Sequence, residues 1–187
     1  MKFAEPIKDI KKISQIKNIL HDTWNIRDYA LFTCWINFWL RISDLLSLKI
    51  RDLFDCDWWI NDYFEICEKK TWKWNKIWIS VKLKKVLEEY KNTYPDIAED
   101  WENYVFFAKK SYPLWLKPIW RIQAWKLIST WAKDVWLKWT YSTHSLRKTL
   151  AYQGLQNHIP IELISERLNH QDYKSTKRYL ALTKDET

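Results

Sequence analysis

Apolar residues recur every three or four positions at the start of the chain: Ile7, Ile10, Ile13, Ile16, Ile19 and Leu20. This period predicts an amphipathic helix near 6–21, opened by Pro6, whose fixed φ suits a first helical turn. Two more helical stretches follow, Ile26–Phe38 and "RISDLLSLKI" (41–50). Then the period changes. "YFEICEKK" (63–70) and "NKIWISV" (75–81) read as two short strands flanking a turn. "KLKKVLEEYKNTY" (82–94) returns to helical spacing, with Leu83, Val86, Leu87 and Tyr90 on one side, and "NYVFFA" (103–108) reads as a short apolar strand. Helical spacing resumes near 118–135, 144–157, 160–169 and 172–182, with Pro160 placed for the first turn of its helix. There is no internal repeat and no low-complexity linker. The pattern predicts a mainly α fold with a small antiparallel β-sheet (α+β), in a single domain over residues 1–187.

Charge narrows the class of partner. The formal net charge is +8 over 187 residues, a balance that suits a polyanionic partner, most often nucleic acid, and equally a plain soluble basic protein. The three cysteines, Cys34, Cys56 and Cys67, are odd in number and widely spaced, so neither a disulfide framework nor a zinc site is expected. No apolar run has the length of a membrane span, and "MKFAEPIKDIKK" lacks the apolar segment of a signal peptide. Reduced thiols in a cytoplasmic protein are expected.

Three places carry candidate chemistry. "STHSLRKTLAYQG" sets His144 and Arg147 three apart at a helix start, with Ser142 or Thr143 as N-cap. Residues i and i+3 share a helix face, so an imidazole and a guanidinium can reach one anion beside the helix N-terminus. "LNHQDYKSTKRYLAL" holds His170 and Tyr179, the latter among Lys174, Lys177 and Arg178. "LRISDLLSLKI" carries Arg41 in an otherwise apolar helix start, with Asp44 at hand as a salt-bridge partner. Each has a plain structural reading when taken alone.

Taken in order, Arg41, a hairpin lysine, His144-x-x-Arg147, His170 and Tyr179 resemble the catalytic set of the tyrosine recombinase (phage integrase) family. The flanking strings "LRISDLLSLK", "THSLRKT" and "RLNH…RY" match as well, and the resemblance runs from about Ile7 to Leu182. It implies the recombinase catalytic-domain fold and a site-specific enzyme that cuts and rejoins DNA strands. By resemblance, Tyr179 is the nucleophile that forms a 3′-phosphotyrosyl link and releases a 5′-hydroxyl. Arg41 and Arg147 would clamp the non-bridging oxygens, His144 and His170 would hydrogen-bond and transfer protons, and a hairpin lysine would protonate the leaving oxygen. Aligning "KTW…IWIS" and the helix after it selects Lys70, whereas aligning "WKWNK" alone selects Lys73; the longer anchor favours Lys70. The resemblance implies no metal, no cofactor and no nucleotide, double-stranded DNA as partner, and a homo-oligomer, dimer or tetramer, on that DNA.

Some features depart from the family. The usual "LGH" is "LNH" here, with Asn169. An N-terminal core-binding (SAM-like) domain is not expected within 187 residues, and eight residues follow Tyr179, which leaves little for exchange between protomers. Two other readings compete: a recombinase-like DNA-binding module without recombination activity, and a relaxing enzyme similar to type IB topoisomerases.

The chain has one glycine and fifteen tryptophans, where average usage would give roughly 13 glycines. Around the first arginine the family usually reads "NFGLRISDLL", and this chain has "NFWLRISDLL". In the hairpin "KTGKG" is "KTWKW", and before the histidine box "VWL" stands where glycine is usual. The expectation is that UGA codons meaning glycine are written as tryptophan, most firmly at Trp35, Trp39, Trp72, Trp74, Trp131, Trp136 and Trp139. The competing reading is a Trp-rich surface for carbohydrate or membrane. Recoding predicts tryptophans on loops and helix ends, exposed and not gathered in a core.

Overall fold

The computed structural model describes residues 5–112, 117–138, 141–169 and 173–180. Helix α1 is Ile10–Asp22, α2 Ile26–Trp35, α3 Ile42–Leu45 and α4 Ile50–Leu53. Strands β1 (Tyr63–Cys67) and β2 (Trp74–Trp78) follow, then α5 (Val81–Thr93), α6 (Arg121–Asp134), α7 (Ser145–Gln156), α8 (Ile161–Arg167) and α9 (Tyr173–Leu180). The mainly α architecture with one two-stranded antiparallel sheet is as the periodicity predicts.

The differences lie at element ends. Helix α1 starts three to four residues later than expected, because the Asp9 side chain accepts from the Lys11 amide at 2.8 Å and caps it. The segment before it is extended and held to α7: the Ile7 amide donates to Thr149 Oγ1 (2.8 Å), and Gln153 Nε2 donates to the Lys8 carbonyl (2.9 Å). The stretch 41–50 is two short helices, not one. "NYVFFA" forms isolated bridges, Tyr104 with Lys49 and Phe107 with Pro118, and no continuous strand. Its apolar run is nonetheless buried, and the Tyr90 hydroxyl donates to the Val105 carbonyl inside the core.

Helix α2 is the axis of the fold. Nearly all of its residues are buried, and α1 and α5 lie against it. The larger core runs from Ile7 to Leu146 through α1, α2, the hairpin, α5 and α6. A smaller one joins Ala151, Tyr152, Ile164, Leu168 and Leu180, with Trp39, Leu155 and Tyr179 packed against it. In the hairpin, Phe64 and Ile77 are cross-strand partners on the buried face, and Tyr63 opposite Trp78 faces solvent. Among the described residues no helix is long and apolar enough to cross a membrane.

Among the described residues eight tryptophans are exposed, Trp24, Trp59, Trp72, Trp74, Trp78, Trp120, Trp125 and Trp136, and Trp39, Trp58 and Trp101 are half-buried. Trp35, the last residue of α2, and Trp131, in the last turn of α6, lie at helix ends as expected but are buried, and Trp131 sits edge-on to Phe32 at 5.4 Å. Trp74 lies in β2, and Trp139 lies outside the described residues. Backbone geometry separates the set further. Trp24, Trp39, Trp58, Trp72 and Trp136 have φ between 55° and 63°, a region that bulky L-residues adopt only under strain. Trp24 and Trp136 each follow a helix C-cap, where the chain doubles back on the helix. The Trp24 amide donates to His21 O and the Asn25 amide to Leu20 O, and the Trp136 amide donates to Lys133 O and the Leu137 amide to Ala132 O, each at 2.9 Å. This closure is the one that glycine usually fills.

Substitution at these two kinds of position should have opposite effects. Trp72 and Trp136 are 81% and 86% exposed, so Trp72→Gly and Trp136→Gly give up little burial and relieve a left-handed backbone worth about 1–2 kcal/mol per residue. Each should raise the denaturation midpoint. Trp131→Gly should lower stability by about 3–5 kcal/mol by opening a core cavity. Urea melts of the three variants check both signs.

Candidate active site

Four elements place the candidate residues. The link after α2 turns through Trp39 (φ 60°) and delivers Arg41 as the N-cap of α3. The connection between β1 and β2 carries Lys70. Helix α7 begins with His144 at its N-cap and puts Arg147 one turn in, and α9 carries Tyr179. The expected cap residues Ser142 and Thr143 lie just outside; Ser142 Oγ accepts from the His144 amide at 3.2 Å and so shapes the entry. His170 lies outside the described residues. Helix α8 ends at Arg167 with Leu168 as its C-cap, and Asn169, the next residue, takes φ 54°. Asparagine tolerates the left-handed region better than most residues, which accounts for "LNH" in place of "LGH".

Arg147 is 3% exposed and donates from Nη2 to the Leu168 carbonyl at 3.2 Å, tying α7 to the end of α8. Its Nε has no hydrogen-bond partner among the described residues. Arg41 pairs with Glu68, not with Asp44 as the sequence suggested. Asp44 instead accepts the Lys69 amide at 3.2 Å, fastening the hairpin connection to α3. Glu68 is 1% exposed. Its Oε1 accepts from Asn75 Nδ2 (2.6 Å) and Asn169 Nδ2 (3.0 Å) and lies 3.8 Å from Arg147 Nη2. Sequence reasoning passed over Glu68. Its only signal was an acid ahead of the lysines in "CEKKT", a common surface pattern. Lys148, also passed over, is buried, with its Nζ 4.9 Å from the centre of the Tyr179 ring.

The site is partly buried and rich in cations, and the titrating groups respond to that. Burial raises the Tyr179 phenol above its ordinary value, and the Arg147 and Arg41 charges pull it back in part. Burial also lowers Arg41 and Arg147, and Arg147 adds its repulsion at Arg41. The His144 imidazole, open to solvent at its edge, is lowered first by partial desolvation and then by the charges of Arg147, Arg41, Lys148 and Lys70. Arg41, Lys70, His144, Arg147 and Tyr179 thus occupy one electrostatic environment, with Lys70 the hairpin lysine whose charge acts on His144. Both Lys70 and Lys73 are solvent-exposed.

Comparison with known proteins places the chain in a family. Residues 8–186 match the model described as the phage integrase family. The chain belongs to this family of tyrosine recombinases. It is similar to the probable integrase/recombinase YoeC of Bacillus subtilis (strain 168), with 35% identity over 187 residues, covering all of this chain and 94% of YoeC. It is also similar to the tyrosine recombinase XerD of Chlamydia trachomatis serovar D, with 27% identity, covering 95% of this chain and 59% of XerD. Among solved structures, the XerA recombinase shares the fold at TM-score 0.76 and 19% identity, over all of this chain and 63% of XerA. XerH bound to palindromic difH substrate matches at TM-score 0.72 and 17% identity, over 97% of this chain and 50% of XerH. The chain therefore spans roughly all of YoeC but under two thirds of the Xer relatives.

The lowered His144 value makes a signed prediction. Between its folded value and the ordinary value of 6.5, the unfolded chain binds the proton more readily. Stability should therefore fall as pH drops through 6.5 and be unaffected by this group above it. Denaturation across a pH series should show this loss, with a shallower slope in His144→Gln. An imidazole that titrates at or above 6.5 by NMR would contradict the assignment.

Proposed function

We propose that this protein is a site-specific DNA recombinase that cuts and rejoins strands through a 3′-phosphotyrosyl intermediate on Tyr179, without a metal. The observation that carries the reading is that Tyr179 lies within the electrostatic reach of two guanidiniums, the half-buried Arg41 and the buried Arg147, in a family of recombinases. Tyr179 attacks the scissile phosphorus, a bond from the phenolic oxygen to phosphorus forms, and the bond to the 5′-oxygen breaks. Arg41 and Arg147 hold the non-bridging oxygens as negative charge builds, and the burial of Arg147 strengthens its contact. Neutral His144 is in the state to accept a proton, with His170 as second partner. Lys70 protonates the departing 5′-oxygen. Return of that hydroxyl reverses the steps and rejoins the strand.

The partner is double-stranded DNA, engaged by a homo-oligomer in the cytoplasm. The net charge of +8 supports a polyanionic partner. XerH bound to difH substrate and a lambda integrase dimer bound to a COC′ core site show relatives of this fold on DNA.

Tyr179→Phe removes only the nucleophilic oxygen. With a nicked suicide substrate, the wild-type chain should yield a denaturation-resistant adduct and Tyr179→Phe none, at nearly equal DNA affinity. An adduct that persists in the Phe variant would take Tyr179 out of the mechanism.

A further inference from the structure

Resting on that reading, we infer that Glu68 is a positioning residue that holds the lysine-bearing hairpin connection and both arginines in mutual register. Its main chain organises the connection: the Glu68 carbonyl accepts from the Thr71 (3.2 Å) and Trp72 (2.8 Å) amides, and its own amide donates to Lys73 O (3.0 Å). These bonds close the loop around Lys70. Its side chain points the other way, into the protein. Oε2 accepts from Arg41 Nη1; Oε1 accepts from Asn75 and Asn169 and lies 3.8 Å from Arg147 Nη2. Every group facing the carboxylate is a donor. Only two acceptor oxygens satisfy them, because an amide in this place would aim an NH2 at another donor. A carboxylate with four such neighbours, two of them cationic, fixes the guanidiniums before any phosphate arrives. That order matters because misplacing a charge clamp by a fraction of a bond length erodes its worth in a transition state.

The test separates binding from chemistry. With the suicide substrate under single-turnover conditions, Glu68→Gln should bind DNA as tightly as wild type or tighter, having lost a negative charge. The bound DNA should be cleaved roughly 10- to 100-fold more slowly, the factor for losing a hydrogen bond to a charged group. Asn75→Ala keeps the carboxylate, removes one donor and should slow cleavage a few-fold; it carries the comparison if Glu68→Gln does not fold. A rate per bound complex equal to wild type in the folded variants overturns the positioning role. A wild-type chain that forms no adduct overturns the recombinase reading, and the role with it.

Backbone geometry carries a second inference independently. Among the described residues seven non-glycine residues have φ between 54° and 63°, and five of them are tryptophan; the other two are His158 and Asn169. Gly154, the chain's one glycine, needs no such freedom: it lies inside α7, and a Cβ there would come 3.4 Å from Ile159 Cδ1 and 3.6 Å from Trp39 Cη2. Tryptophan thus fills the positions where glycine has a physical advantage. The structure points to a native chain with glycine at positions 24, 39, 58, 72 and 136, encoded by UGA read as glycine. Peptide mass spectrometry of the protein from its source should find glycine at all five positions. Tryptophan at any of them overturns the inference.

Discussion

A buried carboxylate between two guanidiniums is the constraint on which the rest of the site depends. Glu68 and Arg147 are both almost wholly withdrawn from water, and Arg41 mostly so. Burying one of these charges alone would be costly, and burying them in mutual contact offsets much of that cost. The contact also decides geometry. Glu68 belongs to the hairpin, Arg41 to the start of α3, Arg147 to α7 and Asn169 to the end of α8. Four segments far apart in sequence are therefore drawn to one point, and none can shift without exposing an unsatisfied charge. Asp44 reinforces the arrangement by taking the Lys69 amide.

The second constraint is where the chain turns. Three candidate groups stand one or two residues along the chain from a left-handed backbone position. Trp39 precedes Arg41 by two, Trp72 follows Lys70 by two, and Asn169 adjoins His170. Such positions redirect the chain sharply within one residue, which lets a functional side chain stand at an element's edge and still be supported by its interior. The smaller core of Ala151, Ile164, Leu168 and Leu180 then seats α9 against α7 and α8, so the Tyr179 ring rests on packed side chains with Lys148 beside it.

The same burial sets the chemistry. Burial raises the Tyr179 phenol and lowers Arg41, Arg147 and His144. Each shift opposes the charged form, and the clustered cations add to it for His144 and Arg41 while working against it for Tyr179. An arriving phosphate brings negative charge into a place already paying for an excess of positive charge. The site is accordingly suited to an anion, which follows from the sum of its charges and not from any single residue.

Much of this was legible in one dimension. Periodicity alone marks α2, α5, α6 and α7 and the hairpin, because a helix face or strand face that must be buried leaves its period in the sequence. The order and spacing of Arg41, Lys70, His144, Arg147, His170 and Tyr179 carry the resemblance to the family to which the chain belongs. The excess of tryptophan over glycine is visible in the composition. Other features required the tertiary structure. The partner of Arg41 is Glu68, 27 residues away, and not Asp44, three away, because the hairpin folds back over α3 and no local rule measures that distance. The break of 41–50 into two helices, the burial of "NYVFFA" without a strand and the isolation of Lys148 beside Tyr179 likewise depend on what lies opposite. Even for the tryptophans, composition shows that glycine is missing, while φ shows which positions needed it. A sequence records the preferences of each segment, but burial, pairing and backbone strain belong to segments in contact, so only the folded chain decides them.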